Sequence, residues 1–218
     1  KAAIDMVSAW ASANRLVLGQ VKVDDKSNEI TAIPQLLQAL EVSGCIVTID
    51  AMGCQTEIAK EIIDRQGDYV LSLKENQGRL YEDVQLLFDD LEKSHYKAYA
   101  FDYVETFNEG HGRTETRQCW TISDPEVLRY CEGLRIGKTF ARFLASAHAA
   151  RSVKKSVVKI ATISPALQKP NKSCGQYVPI GVSKTNCIGP STLPSMKITA
   201  EYAKTMALRT SQSCAISP

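Results

Sequence analysis

At 218 residues, with 44% hydrophobic and 23% charged content, the chain has the composition of a globular protein long enough to bury a full core. No run approaches the ~18 apolar residues of a membrane span and no signal-peptide pattern opens the chain, so a membrane or secreted protein is not expected. The net charge of +2 conceals a break: residues 1–134 carry 13 Lys+Arg against 23 Asp+Glu, whereas residues 135–218 carry 13 Lys+Arg and one acid, Glu201. The seven cysteines include no CxxC pair and are odd in number, which speaks against a disulfide framework or a zinc site and for a reducing, cytoplasmic compartment.

Two β-rich runs, Ile4 to Ala11 and Arg15 to Val23, flank Ser12-Ala13-Asn14 and predict a hairpin. The polar stretch Asp24 to Asn28 supplies a cap, and Ile30, Ile33, Leu36, Leu37 and Leu40 recur at helical spacing, predicting a helix over 29–41. Ile46 to Ile49 is a short β-branched run bounded by Gly44 and Gly53, the pattern of a buried strand. Ile58, Ile62 and Ile63 mark a second helix ending near Gly67, and Tyr69 to Leu73 a second buried strand. Leu80, Val84, Leu87, Phe88 and Leu91 define a long acidic helix from about Asn76 to Lys93. The order β-β-α-β-α-β-α predicts an α/β layer. Ala98–Thr106 and Thr114–Ser123, around the turn Phe107 to Arg113, predict a further hairpin, and Asp124-Pro125-Glu126 starts a short helix. Beyond Leu134 the apolar residues lose any sustained period, and six prolines fall within 164–218, so a largely irregular basic tail is expected.

The most informative position is Asp50, which ends the Ile46–Ile49 run. The carboxyl ends of buried strands in α/β sheets are where ligand and metal sites gather. A carboxylate there is costly unless it is hydrogen-bonded, paired or bound to a cation. A plain loop or N-cap aspartate is the competing reading, and the commoner one for a lone strand-end acid.

Three long strings occur in order: Lys26-Ser27-Asn28-Glu29-Ile30-Thr31-Ala32-Ile33-Pro34, Thr48-Ile49-Asp50-Ala51-Met52-Gly53-Cys54-Gln55 and Gly110-His111-Gly112-Arg113-Thr114-Glu115-Thr116-Arg117. With Leu71-Ser72-Leu73-Lys74-Glu75-Asn76-Gln77 between them, residues 1–134 resemble the ISAs-type insertion-sequence transposases of the DDE superfamily, Glu75 standing where that family usually has Gly. The resemblance implies an RNase H-like mixed sheet with flanking helices, incomplete here, and a β-hairpin insertion. It implies DNA cleavage and strand transfer at insertion-sequence ends, two Mg²⁺ (or Mn²⁺) ions held by three carboxylates, a homo-oligomer in the intact family, and a nucleoid-associated location in a bacterial cytoplasm. By motif match Asp50 is the second acid of the triad and a metal ligand. The family's first acid falls upstream of Lys1, so truncation at the N-terminus is expected. Asp5 and Glu115 are the candidate substitutes, a salt-bridged role beside Arg113 or Arg117 competing at Glu115. Asp5 reads better as an exposed strand residue and His111 as a turn residue. Lys74 and Asn76, just past a strand end, are candidate phosphate contacts, Asn76 competing with a helix-start role.

The family's third acid sits in a helix of the pattern HWxIENxLHW, which this chain lacks as written. A frame two nucleotides out of register changes that. Pro179–Ile180 and Ile180–Gly181 then permit His-Trp, Ser183–Lys184 and Lys184–Thr185 permit Glu-Asn, and Cys187–Ile188–Gly189 permit His-Trp again. The seam falls near Arg135, where the charge balance flips. The sequence thus divides into a partial catalytic domain over 1–134 and a frameshifted basic segment over 135–218, in a protein inactive as encoded. The rivals are a metal-dependent nuclease pairing Asp50 with Glu115, a doubly wound flavodoxin-like binding module, and a non-catalytic DNA-binding protein using the basic segment.

Overall fold

The computed structural model describes residues 4–11, 15–24, 27–110, 113–129, 131, 139–149, 152–163 and 178–186. Along the chain these form β1 (Asp5–Ala11), β2 (Leu16–Lys22), α1 (Glu29–Gln38), β3 (Cys45–Ile49), α2 (Thr56–Asp64), β4 (Asp68–Leu73) and α3 (Gly78–Lys93). Next come β5 (Asp102–Gly110), β6 (Arg113–Ile122), α4 (Pro125–Leu128), β7 (Thr139–Ala149), β8 (Ser152–Ile163) and β9 (Val178–Asn186). The β-β-α-β-α-β-α order read from the sequence is the order found. The chain divides into two compact units, residues 1–72 with 163–218, and residues 73–162. Among the described residues no helix is long and apolar enough to cross a membrane.

In the first unit the strands lie in the order β2-β1-β9-β3-β4. β1 runs antiparallel to both β2 and β9, while β3 runs parallel to both β9 and β4, so the sheet is mixed. A bulge between Ala9 and Trp10 shifts the β1–β2 register by one residue. β3 is buried from Ile46 through Ile49, and β4 from Asp68 through Leu71, as expected of parallel strands in an α/β layer. Helix α1 turns Ala32, Ile33, Leu36 and Leu37 inward, and α2 turns Ile58, Ala59 and Ile62 inward. Each fully buried Leu or Ile of this set stabilises the fold by roughly 1.5–3 kcal/mol.

The start of α1 is set by Asn28, whose side-chain oxygen accepts from the Ile30 N–H at 3.1 Å while its own backbone stays extended. Asn28→Ala leaves that donor to water alone, and its expected cost is about 1 kcal/mol, read from the shift of the denaturant midpoint. The helix stops at Gln38, earlier than the periodicity predicts, with the Ala39 and Leu40 N–H groups closing short bonds to Leu36 and Leu37.

In the second unit α3 buries Leu80, Val84, Leu87, Phe88 and Leu91 along one face, and the strands lie in the order β8-β7-β6-β5. β5 and β6 pair from Asp102↔Thr121 down to Gly110↔Arg113, so the seven-residue turn expected over 107–113 is mostly strand. His111 and Gly112 lie outside the described residues. Tyr96, Phe101, Tyr103 and Trp120 form an aromatic cluster, with the Tyr96 and Trp120 rings stacked at 6.2 Å and 12°.

Three strands, β7, β8 and β9, fall inside the stretch expected to be largely irregular. Phe140 and Ala141 are buried, and Phe140 pairs with Ile122 across β6 and β7. Pairing uses backbone groups that every non-proline residue carries, so a short apolar alternation is enough to recruit a strand. Residues 164–177 and 187–218 lie outside the described residues.

Candidate active site

The backbone leaves β3 at Ile49, stays extended through Asp50 at φ −72° and ψ −178°, and turns into a single 3-10 turn over Ala51–Gly53. The turn is closed by the Gly53 N–H, which donates to the Asp50 carbonyl at 3.2 Å. Glycine is required at 53 for space: a Cβ there would stand 2.3 Å from Ile49 Cγ2 and 3.0 Å from Ile33 Cδ1. The close approach of turn to strand fixes where the chain emerges from the sheet.

Asp50 thus stands at the carboxyl end of a wholly buried strand with its own side chain exposed. It holds the capping position of the following turn, yet its carboxylate makes no capping hydrogen bond. The plain N-cap reading therefore loses its main support, and the carboxylate faces solvent with both oxygens available. Its neighbour Cys54 is fully buried, and burial pushes its thiol up to about 12. Cys54 stays protonated at neutral pH, so native protein is expected to leave it unmodified by Ellman's reagent until denatured. The sign of the linkage is that of a raised acid. Its contribution to stability is complete below the ordinary thiol range and is lost as pH climbs towards 12.

Lys74, Asn76 and Glu115 belong to the second unit. Lys74 is exposed and extended, immediately ahead of a 3-10 turn over Glu75–Gln77, and Asn76 is exposed within that turn. Helix α3 begins at Gly78, itself at φ +44°, so Asn76 lies in the 3-10 turn that leads directly into the helix. Glu115 sits on β6, paired with Asn108 of β5 and Ala147 of β7, and is thus a mid-ladder position. Asp5, in the first unit, opens β1 and is half-buried.

The second unit also contains a cavity of about 400 Å³ whose lining includes Asp83, Leu87, Asp90, Tyr99, Glu126 and Cys131. Asp90 accepts from the Tyr99 hydroxyl at 2.7 Å, which raises the Tyr99 pKa, and Glu126 pairs with Arg129. Three carboxylates around an apolar floor disfavour a phosphate backbone there.

Among the described residues no group of three His, Cys, Asp or Glu side chains converges as a metal site. Asp50 alone offers one or two of the roughly six oxygens that Mg²⁺ takes. The described residues therefore do not build a two-metal centre. Sequence reading also missed β9, which lies beside β3; its signal was the alternation Val178, Ile180, Val182.

A buried central strand delivering an exposed carboxylate from a mixed sheet flanked by helices is consistent with an incomplete RNase H-like α/β fold. The chain belongs to the Transposase DDE domain family, whose sequence model matches residues 1–201, and members of that family are in general dependent on divalent metal ions. It is 50% identical over 117 residues to "Putative transposase YncI" of Escherichia coli strain K12, covering 54% of this chain and 46% of that protein. It is also 50% identical over 117 residues to the protein of that name from Escherichia coli O157:H7, covering 54% of this chain and 29% of that protein. With "H repeat-associated putative transposase YbfD" of strain K12 it shares 44% identity over 130 residues, 59% of this chain and 49% of that protein. The chain thus spans less than half the length of each of these relatives.

Proposed function

We propose that this chain is part of an insertion-sequence transposase whose ancestral reaction is metal-dependent DNA cleavage and strand transfer at the element's ends, and that it is inactive as encoded. The observation that carries this reading is Asp50, an exposed carboxylate without a capping bond at the end of the buried strand β3. In this reading Asp50 is a catalytic and metal-binding acid for Mg²⁺ or Mn²⁺. Lys74 and Asn76, both exposed, contact phosphate. Glu115 is the acid that a surviving nuclease activity would recruit. Inactivity is supported by the described residues, among which no three ligands converge, since one carboxylate does not hold two ions about 3.5–4 Å apart. The intact protein acts as an oligomer on DNA, in the bacterial cytoplasm at the nucleoid.

The division near residue 135 belongs to the same proposal. It is supported by the charge break there and by the identity to curated relatives, which extends over 117–130 residues, although the family match itself reaches residue 201. Sequencing the gene tests it directly. The shifted frame from about Arg135 should spell the His-Trp and Glu-Asn pairs at 179–185; any wobble base that forbids them sinks the frameshift.

A second reading rests on the 13 Lys+Arg against one acid in residues 135–218. Such a segment binds DNA through phosphates alone, with affinity falling steeply in salt and no sequence preference. An affinity for duplex DNA that is insensitive to salt between 50 and 200 mM, two conditions chosen for the assay, would exclude it.

A further inference from the structure

Strand β2 forms the outer edge of the first unit's sheet, with β1 on one side and, among the described residues, no strand on the other. One bond fixes the direction of its backbone groups. The Val23 N–H, just past the strand, donates to the Asp5 carbonyl at 2.9 Å, so Val23 turns its polar groups toward β1. Antiparallel partners alternate between bonded and unbonded pairs. The register is unbroken from Met6↔Lys22 to Ala9↔Gly19, so Val21 and Gly19 also bond inward, and Gln20 and Lys22 aim their N–H and C=O groups away from the sheet. The side chains ahead of Gly19 are uncovered as well. Helix α1 sits over the strand at Gly19, where a Cβ would meet Leu36 Cδ1 at 3.2 Å, whereas Leu16, Val17 and Leu18 are 58%, 52% and 42% exposed. Successive strand residues point to opposite faces, so three exposed in a row leave both faces of this end open. Sheet edges are commonly kept apart by charges, prolines and bulges. β2 has one charge, Lys22, and no proline, and a single bulge lies opposite it between Ala9 and Trp10.

We propose that β2 is a self-association edge, at which two copies of this chain pair antiparallel about a two-fold axis. The charges at the two ends of the strand choose this occupant. Arg15 precedes β2 and Asp24 follows it, both exposed. An antiparallel copy brings Arg15 to the end that carries the partner's Asp24, and does so twice, whereas a parallel copy sets like charge beside like. A pairing centred on Gln20 joins its outward groups to those of the partner's Gln20. It also sets Leu16 opposite the partner's Asp24, with Arg15 the next residue along. A single strand pair is small against the roughly 1,200–2,000 Å² buried in stable complexes, so the association is weak and reversed by dilution. The seam does not involve Asp50 and stands apart from the reading of that residue as a catalytic acid.

Two measurements on the full chain test the proposal. Sedimentation over a range of protein concentrations should show a reversible monomer–dimer equilibrium. Val17→Lys sets a charge on the open edge and should weaken the dimer by about ten-fold or more, with the denaturation midpoint nearly unmoved because this side chain faces solvent. Arg15→Asp and Asp24→Arg, each measured at low salt where exposed charges are least screened, should each weaken it by roughly three-fold or more. The two reversals combined should restore it, because opposite charges then meet again. Hydrogen exchange locates the contact. The Gln20 and Lys22 amides should gain protection as concentration rises, while the inward amides of Val21 and Val23 stay protected at every concentration. A dimer whose Gln20 and Lys22 amides remain open, or a double reversal that does not restore pairing, would overturn the proposal. So would a chain that is monomeric throughout, which would leave this edge to a different partner.

Discussion

Gly53→Ala should destabilise the first unit by about 1–3 kcal/mol, the range for forcing an extra methyl into a packed core. A Cβ at 53 would meet Ile49 Cγ2 at 2.3 Å, closer than any relaxed contact, and Ile33 Cδ1 at 3.0 Å. Neither neighbour has room to yield, since Ile49 is 2% and Ile33 3% exposed, and Ile49 is held in the central strand. Against a typical domain stability of ~5–15 kcal/mol this is a large fraction. The mechanism makes a sharper statement than the magnitude does. Ile49→Ala removes the clashing methyl, so Gly53→Ala should cost less in that background than in the unaltered chain, with a coupling of roughly 0.5–3 kcal/mol in a denaturation cycle. Strict additivity would mean that the turn relaxes elsewhere and that the geometry around Asp50 is not set by this contact.

The largest effect is expected in a repaired protein, in which this segment is joined to the further sequence of a full-length transposase and read in the corrected frame near Arg135. That protein should cleave DNA carrying the element's ends in the presence of Mg²⁺, and Asp50→Asn should reduce the rate by on the order of 100-fold or more. The estimate takes the ~10–100-fold cost of losing a residue that merely supports a metal ligand as a lower bound for losing the ligand itself. The substitution should leave the denaturation midpoint nearly unchanged, because the side chain is exposed and makes no capping bond. A repaired enzyme indifferent to Asp50→Asn would remove Asp50 from the chemistry altogether.

Much of the fold was legible because its signals are local. Ile46 to Ile49 announces a buried strand by its β-branched run, and 1% exposure at Ile46 and 0% at Val47 follow from placement between β9 and β4. The helical spacing of Leu80, Val84, Leu87, Phe88 and Leu91 describes the buried face of α3 residue for residue. What was misread depended on single backbone angles or on long-range pairing. The positive φ at Gly78 moves the start of α3 past Asn76, and the tight closure at Gly110↔Arg113 turns an expected loop into strand. The place of β9 depends on partners more than 130 residues away, Cys45 to Ile49, and no window of sequence contains both. The candidate site was legible only as Asp50, for the same reason: the groups that complete a carboxylate centre come from separate segments, and periodicity says nothing of which segments meet.

The decisive measurement is Mg²⁺- or Mn²⁺-dependent cleavage of DNA bearing the element's ends by the 218-residue chain as encoded. One exposed strand-end acid, with no converging set of three ligands among the described residues, predicts no cleavage above the metal-free control. Robust metal-dependent cleavage, abolished by Asp50→Asn, would contradict it and show that another acid, Glu115 first among the candidates, completes the site.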